Sequence, residues 1–122
     1  MVDRILLEVM LVNLMENALK YGGSPAAIAV RIDRHGLTVD DNGPGIPTSD
    51  RVHVLKPFWR ADRKRTDGVG VGLALVARIA EKTGGRVIVG DSPLGGCRVR
   101  FLKNAEAPVP DDDIGTAKLA AE

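Results

Sequence analysis

Two groups of polar residues stand where the surrounding pattern calls for apolar ones, and a glycine run makes a third candidate for binding charged ligands. Asn13 and Asn17 are four residues apart, so on a helix they stack on one face with Glu16 and Lys20 beside them. A buried amide without a partner costs roughly 1–3 kcal/mol. The two side chains therefore either satisfy neighbouring backbone or turn their carbonyl oxygens to a ligand. A magnesium ion is one such ligand, because it takes only one or two oxygens from protein when phosphates supply the rest. The second group is Asp41 with the turn Asn42-Gly43-Pro44-Gly45-Ile46 after it. Its carboxylate suits the exocyclic amino group of a base, or else caps the following turn through an Asx bond. The third is the run Gly68-Val69-Gly70-Val71-Gly72, whose alternating glycines free the backbone to cradle phosphates at a helix N-terminus. It lacks the Gly-Lys-Ser/Thr ending of a Walker A loop and the spacing of a dinucleotide fingerprint.

The elements that must position these residues follow from periodicity. Asp3 predicts the N-cap of a helix running to about Tyr21 and closed by Gly22, Gly23 and Pro25. On that helix Leu7, Met10, Leu11, Leu14 and Ala18 make one apolar stripe, and Ile5, Val12 and Leu19 a second, so burial on two sides is expected. Residues 26–33 and 37–41 alternate about the turn Arg34-His35-Gly36 and predict a hairpin. Leu37 and Val39 point inward on it, and parity takes Asp41 with them. From Asn42 to Val69 the chain reads as a long loop with Pro44, Pro47, Pro57 and the basic run Arg60–Arg65. A loop of that length inside a small domain is usually functional. A second helix over about 71–83 and two strands, about 86–91 and 97–102, complete a layered α/β sandwich. The folded domain is expected over 1–104, with a lid at about 46–70. A tail over 105–122, rich in Pro, Asp and Ala, has little to bury and reads as disordered.

Composition narrows the class. The chain has 122 residues, room for one domain. Its net charge of +1 argues against a bulk electrostatic grip on nucleic acid or membrane. The single cysteine, Cys97, excludes an internal disulfide and a multi-cysteine metal site. The apolar stretch from Ile5 to Leu19 is interrupted by Glu8, Asn13, Glu16 and Asn17, and is too short and polar to span a bilayer. A cytoplasmic, reducing environment is expected.

Taken in order, Asn13-Leu-Met-Glu-Asn17-Ala-Leu-Lys-Tyr21, Asp41-Asn-Gly-Pro-Gly45, Pro57-Phe58-Trp-Arg60 and Gly68-Val-Gly-Val-Gly72 closely resemble the N, G1, F and G2 boxes of sensor histidine kinases. That family shares the GHKL superfamily with gyrase and Hsp90, and the match covers about residues 3–103. The resemblance implies a Bergerat-type ATP-binding fold, in which a mixed sheet is backed by helices and ATP lies beneath a lid. It implies that Asn17 holds magnesium, with Asn13 beside the phosphates and Lys20 and Tyr21 facing the nucleotide. Asp41 would read the adenine amino group, in a pocket shaped by Gly43, Gly45 and Ile46. Phe58, Arg60, Gly68, Gly70, Val71, Gly72 and Leu73 would complete the nucleotide site as the lid closes.

Some positions depart from that pattern. Lys56 stands where the family often has glutamate, Gly96-Cys97 replaces a usual Gly-Thr, and the family's opening strand is not in this sequence. A sheet one strand short predicts reduced stability or an exposed edge that a partner fills. Hydrolases of the superfamily carry a glutamate where Asn13 stands. An amide has no lone pair suited to general-base work, which favours phosphoryl transfer over ATP hydrolysis. His35 and His53 begin no His-Glu motif on an amphipathic helix, so the accepting histidine belongs to a separate dimerisation/phosphoacceptor domain. A response regulator lies downstream, and the parent kinase is expected to be anchored in the inner membrane. Two other readings fit the same boxes: a non-catalytic nucleotide-binding module, and a serine kinase of the anti-sigma-factor type.

Overall fold

A computed structural model of the chain describes residues 3–21, 23, 25–51, 53, 55 and 72–110, Tyr21 by its backbone only. Helix α1 spans Arg4–Tyr21. Its start is the predicted cap: the Ile5 N–H donates to Asp3 Oδ1 at 2.7 Å and the Leu7 N–H to the Asp3 carbonyl at 3.0 Å. Strands β1 (Ile28–Asp33) and β2 (Gly36–Asp41) form the hairpin. A short 3₁₀ turn, Thr48–Asp50, follows. Helix α2 (Gly72–Lys82) and strands β3 (Arg86–Asp91) and β4 (Cys97–Leu102) follow.

The sheet order is β1-β2-β4-β3. The resemblance implied a mixed sheet, whereas every pairing among the described strands is antiparallel. A parallel pair needs a neighbour reached by a crossover, and no strand precedes α1 among the described residues. β1 is accordingly an edge, on which Val30 and Ile32 of the helix-facing side are 41% and 55% exposed.

Register explains which side chains meet. Leu37 pairs with Phe101 and Val39 with Val99. These face Met10, Leu14 and Ala18 of α1 and Leu73, Val76, Ile79 and Ala80 of α2, which together make the core. The second apolar stripe of α1 is not buried, contrary to the expectation from its composition: Ile5, Val12 and Leu19 are exposed. α2 lies on one flank of α1 and the sheet beneath it, and no described element covers the remaining side.

The opposite face of the sheet is polar yet buried. Asp40 is fully buried and bound in two places by Arg98, Nε to Oδ1 at 2.8 Å and Nη2 to Oδ2 at 3.0 Å. Arg100 Nε donates to Thr38 Oγ1 at 3.2 Å. The chain beyond β4 returns against this face. Arg86 Nη2 donates to the Ala107 carbonyl at 3.0 Å, and Arg100 Nη1 to that of Pro110 at 3.2 Å. Residues 105–110, assigned from the sequence to a disordered tail, are thus seated on the sheet, because their carbonyls cap arginines that the strands present. Residues 111–122 lie outside the described residues.

Candidate nucleotide site

The last inward position of β2 carries Asp41, which is 5% exposed. Its Oδ1 accepts from the Gly43 N–H at 2.9 Å and from the Cys97 N–H at 3.0 Å. The first bond is the Asx turn that parity and the following glycines allow. Both of these bonds converge on Oδ1.

Backbone has to approach this carboxylate closely, and glycines permit it. A Cβ on Gly96 would run into Asp41 Oδ1 and come within 2.5 Å of the Gly43 nitrogen. Gly45 sits at φ +78°, in the left-handed region that side chains disfavour. Beyond it the Ile46 carbonyl accepts from Arg51 Nε at 2.9 Å, and Arg51 Nη2 bonds Asp91 Oδ1 at 2.6 Å. Arg51 so ties the turn after Gly45 to the end of β3. The Cys97 thiol is pushed up to about 12, chiefly by burial and secondarily by the Asp41 charge. It stays protonated at neutral pH, and the residue's contact with Asp41 is made by its backbone.

Across the fold, Asn13 and Asn17 are half-buried on α1. Asn13 Nδ2 donates to the Val9 carbonyl at 2.8 Å, the local satisfaction an amide on a helix can make. Its Oδ1 is directed the other way, 3.5 Å from where a Cβ on Gly72 would lie. The amide oxygen and the first turn of α2 therefore adjoin. Lys20 is exposed on the last turn of α1, and Leu73 is buried in the core.

Asn42 joins the Asp41 turn to the connection after α1. Its Oδ1 accepts from the N–H groups of Gly23 and Ala27, each at 2.9 Å, and its Nδ2 donates to the Pro25 carbonyl at 3.0 Å.

The structure thus brings Asp41 together with Gly43, Gly96 and Cys97, and Asn13 together with Gly72. Phe58, Arg60, Gly68, Gly70, Val71 and the Tyr21 side chain lie outside the described residues. Sequence reading assigned no contact to Asn42 or Arg51. Asn42 had a signal, since an Asn beside a glycine turn is a common backbone binder. Arg51 had none, because its partner Asp91 is 40 residues away.

This arrangement, a carboxylate at a strand end, a glycine-rich turn and an asparagine helix abutting a second helix start, defines a nucleotide-binding α/β sandwich. The family model for histidine kinase-, DNA gyrase B- and HSP90-like ATPases matches residues 2–107, and the chain belongs to that family. Among individual proteins it is similar to the sensor histidine kinase CpxA of Escherichia coli (strain K12). The two are 40% identical over 98 residues, which cover 76% of this chain and 21% of CpxA. Among solved structures it is similar to the mycobacterial sensor histidine kinase MprB, with a TM-score of 0.71 and 29% identity over 82% of this chain and 72% of that one. It also resembles the ATP-binding domain of PrrB from Mycobacterium tuberculosis, with a TM-score of 0.60 and 31% identity over 90% of this chain and 72% of that one.

Proposed function

We propose that this chain is the ATP-binding catalytic domain of a sensor histidine kinase, which passes the γ-phosphoryl group of ATP to a histidine on a separate dimerisation/phosphoacceptor domain. The observation that carries the reading is Asp41: a buried carboxylate whose internal donors both bind Oδ1, so that Oδ2 accepts the adenine amino group. Gly96 leaves no room for a side chain beside Asp41 Oδ1, and Ile46 forms part of the wall beside the carboxylate. Cys97 in place of the usual threonine removes a hydroxyl but keeps the backbone donor to Asp41. This argues against a decayed, non-binding module.

The phosphates extend toward Asn13 and the first turn of α2, whose unpaired N–H groups and positive end favour anions. Lys20 neutralises phosphate charge from the last turn of α1, and the family resemblance gives Gly68 and Gly70 a part in closing over the phosphates. Magnesium fits Asn17, a neutral amide oxygen one turn from Asn13, where it would supply charge neutralisation of the phosphates. Tyr21, Phe58, Arg60 and Val71 complete the nucleotide's surroundings. Asn13 is an amide and withdraws no proton from water, so the chain holds ATP for an imidazole nucleophile rather than hydrolysing it.

The chain spans 21% of the length of the curated relatives such as CpxA. The accepting histidine and the response regulator that receives the phosphoryl group are therefore proposed partners. No helix among the described residues is long and apolar enough to cross a membrane. We place this domain on the cytoplasmic side of a parent anchored in the inner membrane.

The test is phosphoryl transfer in trans. Mixed with radiolabelled ATP, magnesium and a purified dimerisation/phosphoacceptor domain from a related kinase, the chain should label that domain's histidine and not itself. Label on the isolated chain, lost on substitution of His35 or His53, would overturn the reading.

A further inference from the structure

We infer that Asn42 is a positioning residue that sets the spacing between the adenine-reading carboxylate and the phosphate-facing end of α1. The inference rests on the nucleotide reading above and adds a residue that acts through Lys20 and Asn17 rather than on the ligand.

The geometry is specific. One amide engages three backbone groups of the connection between α1 and β1: it accepts from Gly23 and Ala27 and donates to Pro25. Both lone pairs of Oδ1 are thereby used, and the orientation of the amide follows, since a flipped NH₂ would face two N–H donors. The approach is close enough to constrain the partner as well. A Cβ on Gly23 would come within 2.8 Å of the Asn42 carbonyl oxygen and 2.9 Å of its Nδ2. Gly23 follows the last turn of α1, where Lys20 and Tyr21 lie, and Asn42 directly follows Asp41. A single side chain thus joins the two ends of the proposed nucleotide site, one residue from the carboxylate and three from the lysine.

A side chain with this placement fixes where the phosphates fall once the base is seated. Removing it should leave base recognition by Asp41 in place while the end of α1 drifts from register. Binding of ATP should weaken, and binding of adenosine, which has no phosphates, should not.

The test compares affinities of ATP (with magnesium) and adenosine for the wild-type chain, Asn42→Ala and Asn42→Asp, each first shown to be folded by thermal melting. Asn42→Ala is expected to weaken ATP about tenfold and adenosine less than about threefold. Asn42→Asp keeps an oxygen for Gly23 and Ala27 but sets a second one against the Pro25 carbonyl, so it should fall between. A cycle with Lys20→Ala gives the second readout. If Asn42 acts through Lys20, the double variant loses no more ATP affinity than the more damaging single one. Parallel losses for ATP and adenosine, or additive losses with Lys20→Ala, would overturn the inference. So would loss of folding in both Asn42 variants, which would make the role purely structural. Failure of the underlying reading looks different: Asp41→Asn would leave ATP affinity unchanged.

Discussion

The hydrogen bonds described for Asp41 both reach Oδ1, and the proposed reading gives its Oδ2 to the adenine amino group. Asp41→Asn exploits that division. The amide oxygen still accepts from Gly43 and Cys97, while an NH₂ replaces Oδ2 and opposes the adenine amino group. Stability should change by less than about 1 kcal/mol, and ATP affinity should fall at least about tenfold. Gly96→Ala should instead damage both properties. Its methyl group collides with Asp41 Oδ1 and the backbone on either side, so both folding and ATP binding should suffer. Cys97 offers a pH signature. Its thiol is raised from an ordinary value near 9 to about 12, so the folded state holds the proton more tightly than the unfolded one. The contribution is fully present below pH 9 and is lost as pH rises toward 12. In denaturant titrations across that window, wild type should lose stability more steeply than Cys97→Ala. Equal slopes would show that the thiol does not titrate differently on folding.

Among the elements, α1 carries two apolar stripes of similar composition and only one is buried. Leu14→Ala should cost about 2–5 kcal/mol by opening a cavity against the sheet. Leu19→Gln or Val12→Gln should shift the denaturation midpoint by the equivalent of less than about 0.5 kcal/mol, as solvent-facing positions do. Sequence periodicity places residues on a helix face but does not say how many faces find a neighbour, so it predicts burial of a stripe that the structure exposes. The same gap affected Asp40. Strand alternation put it on the side away from the core, and it is there, but Arg98 and the polar face around it take it out of water. Removing one partner of that pair leaves an uncompensated buried charge. Asp40→Ala should therefore cost about 3–5 kcal/mol, measurable by chemical denaturation, although Asp40 points away from the nucleotide site. Arg98 is 58 residues from Asp40 in the chain, so nothing local signalled the pair.

For the whole molecule, the strands, both helices and the inward aim of Asp41 were legible, because each follows from short-range periodicity and from glycines whose only economical use is close backbone approach. The capping Asp3, the hairpin turn and the Asn13–Asn17 face followed from the same local rules. What was not legible depends on packing between distant segments: the return of residues 105–110 over the sheet, the Arg51 tie to β3 and the Asn42 link between the two ends of the site. The family relationship stands on the match over residues 2–107, and the proposed nucleotide site lies at one end of the sheet formed by the four described strands. The most direct test of that account is calorimetric titration of ATP with magnesium into the wild-type chain and into Asp41→Asn. The account predicts saturable binding to the wild type, weakened at least about tenfold in a variant that melts at nearly the same temperature. Folded wild-type protein that takes up no ATP at millimolar concentration, or an Asp41→Asn variant that binds as tightly as wild type, would contradict it.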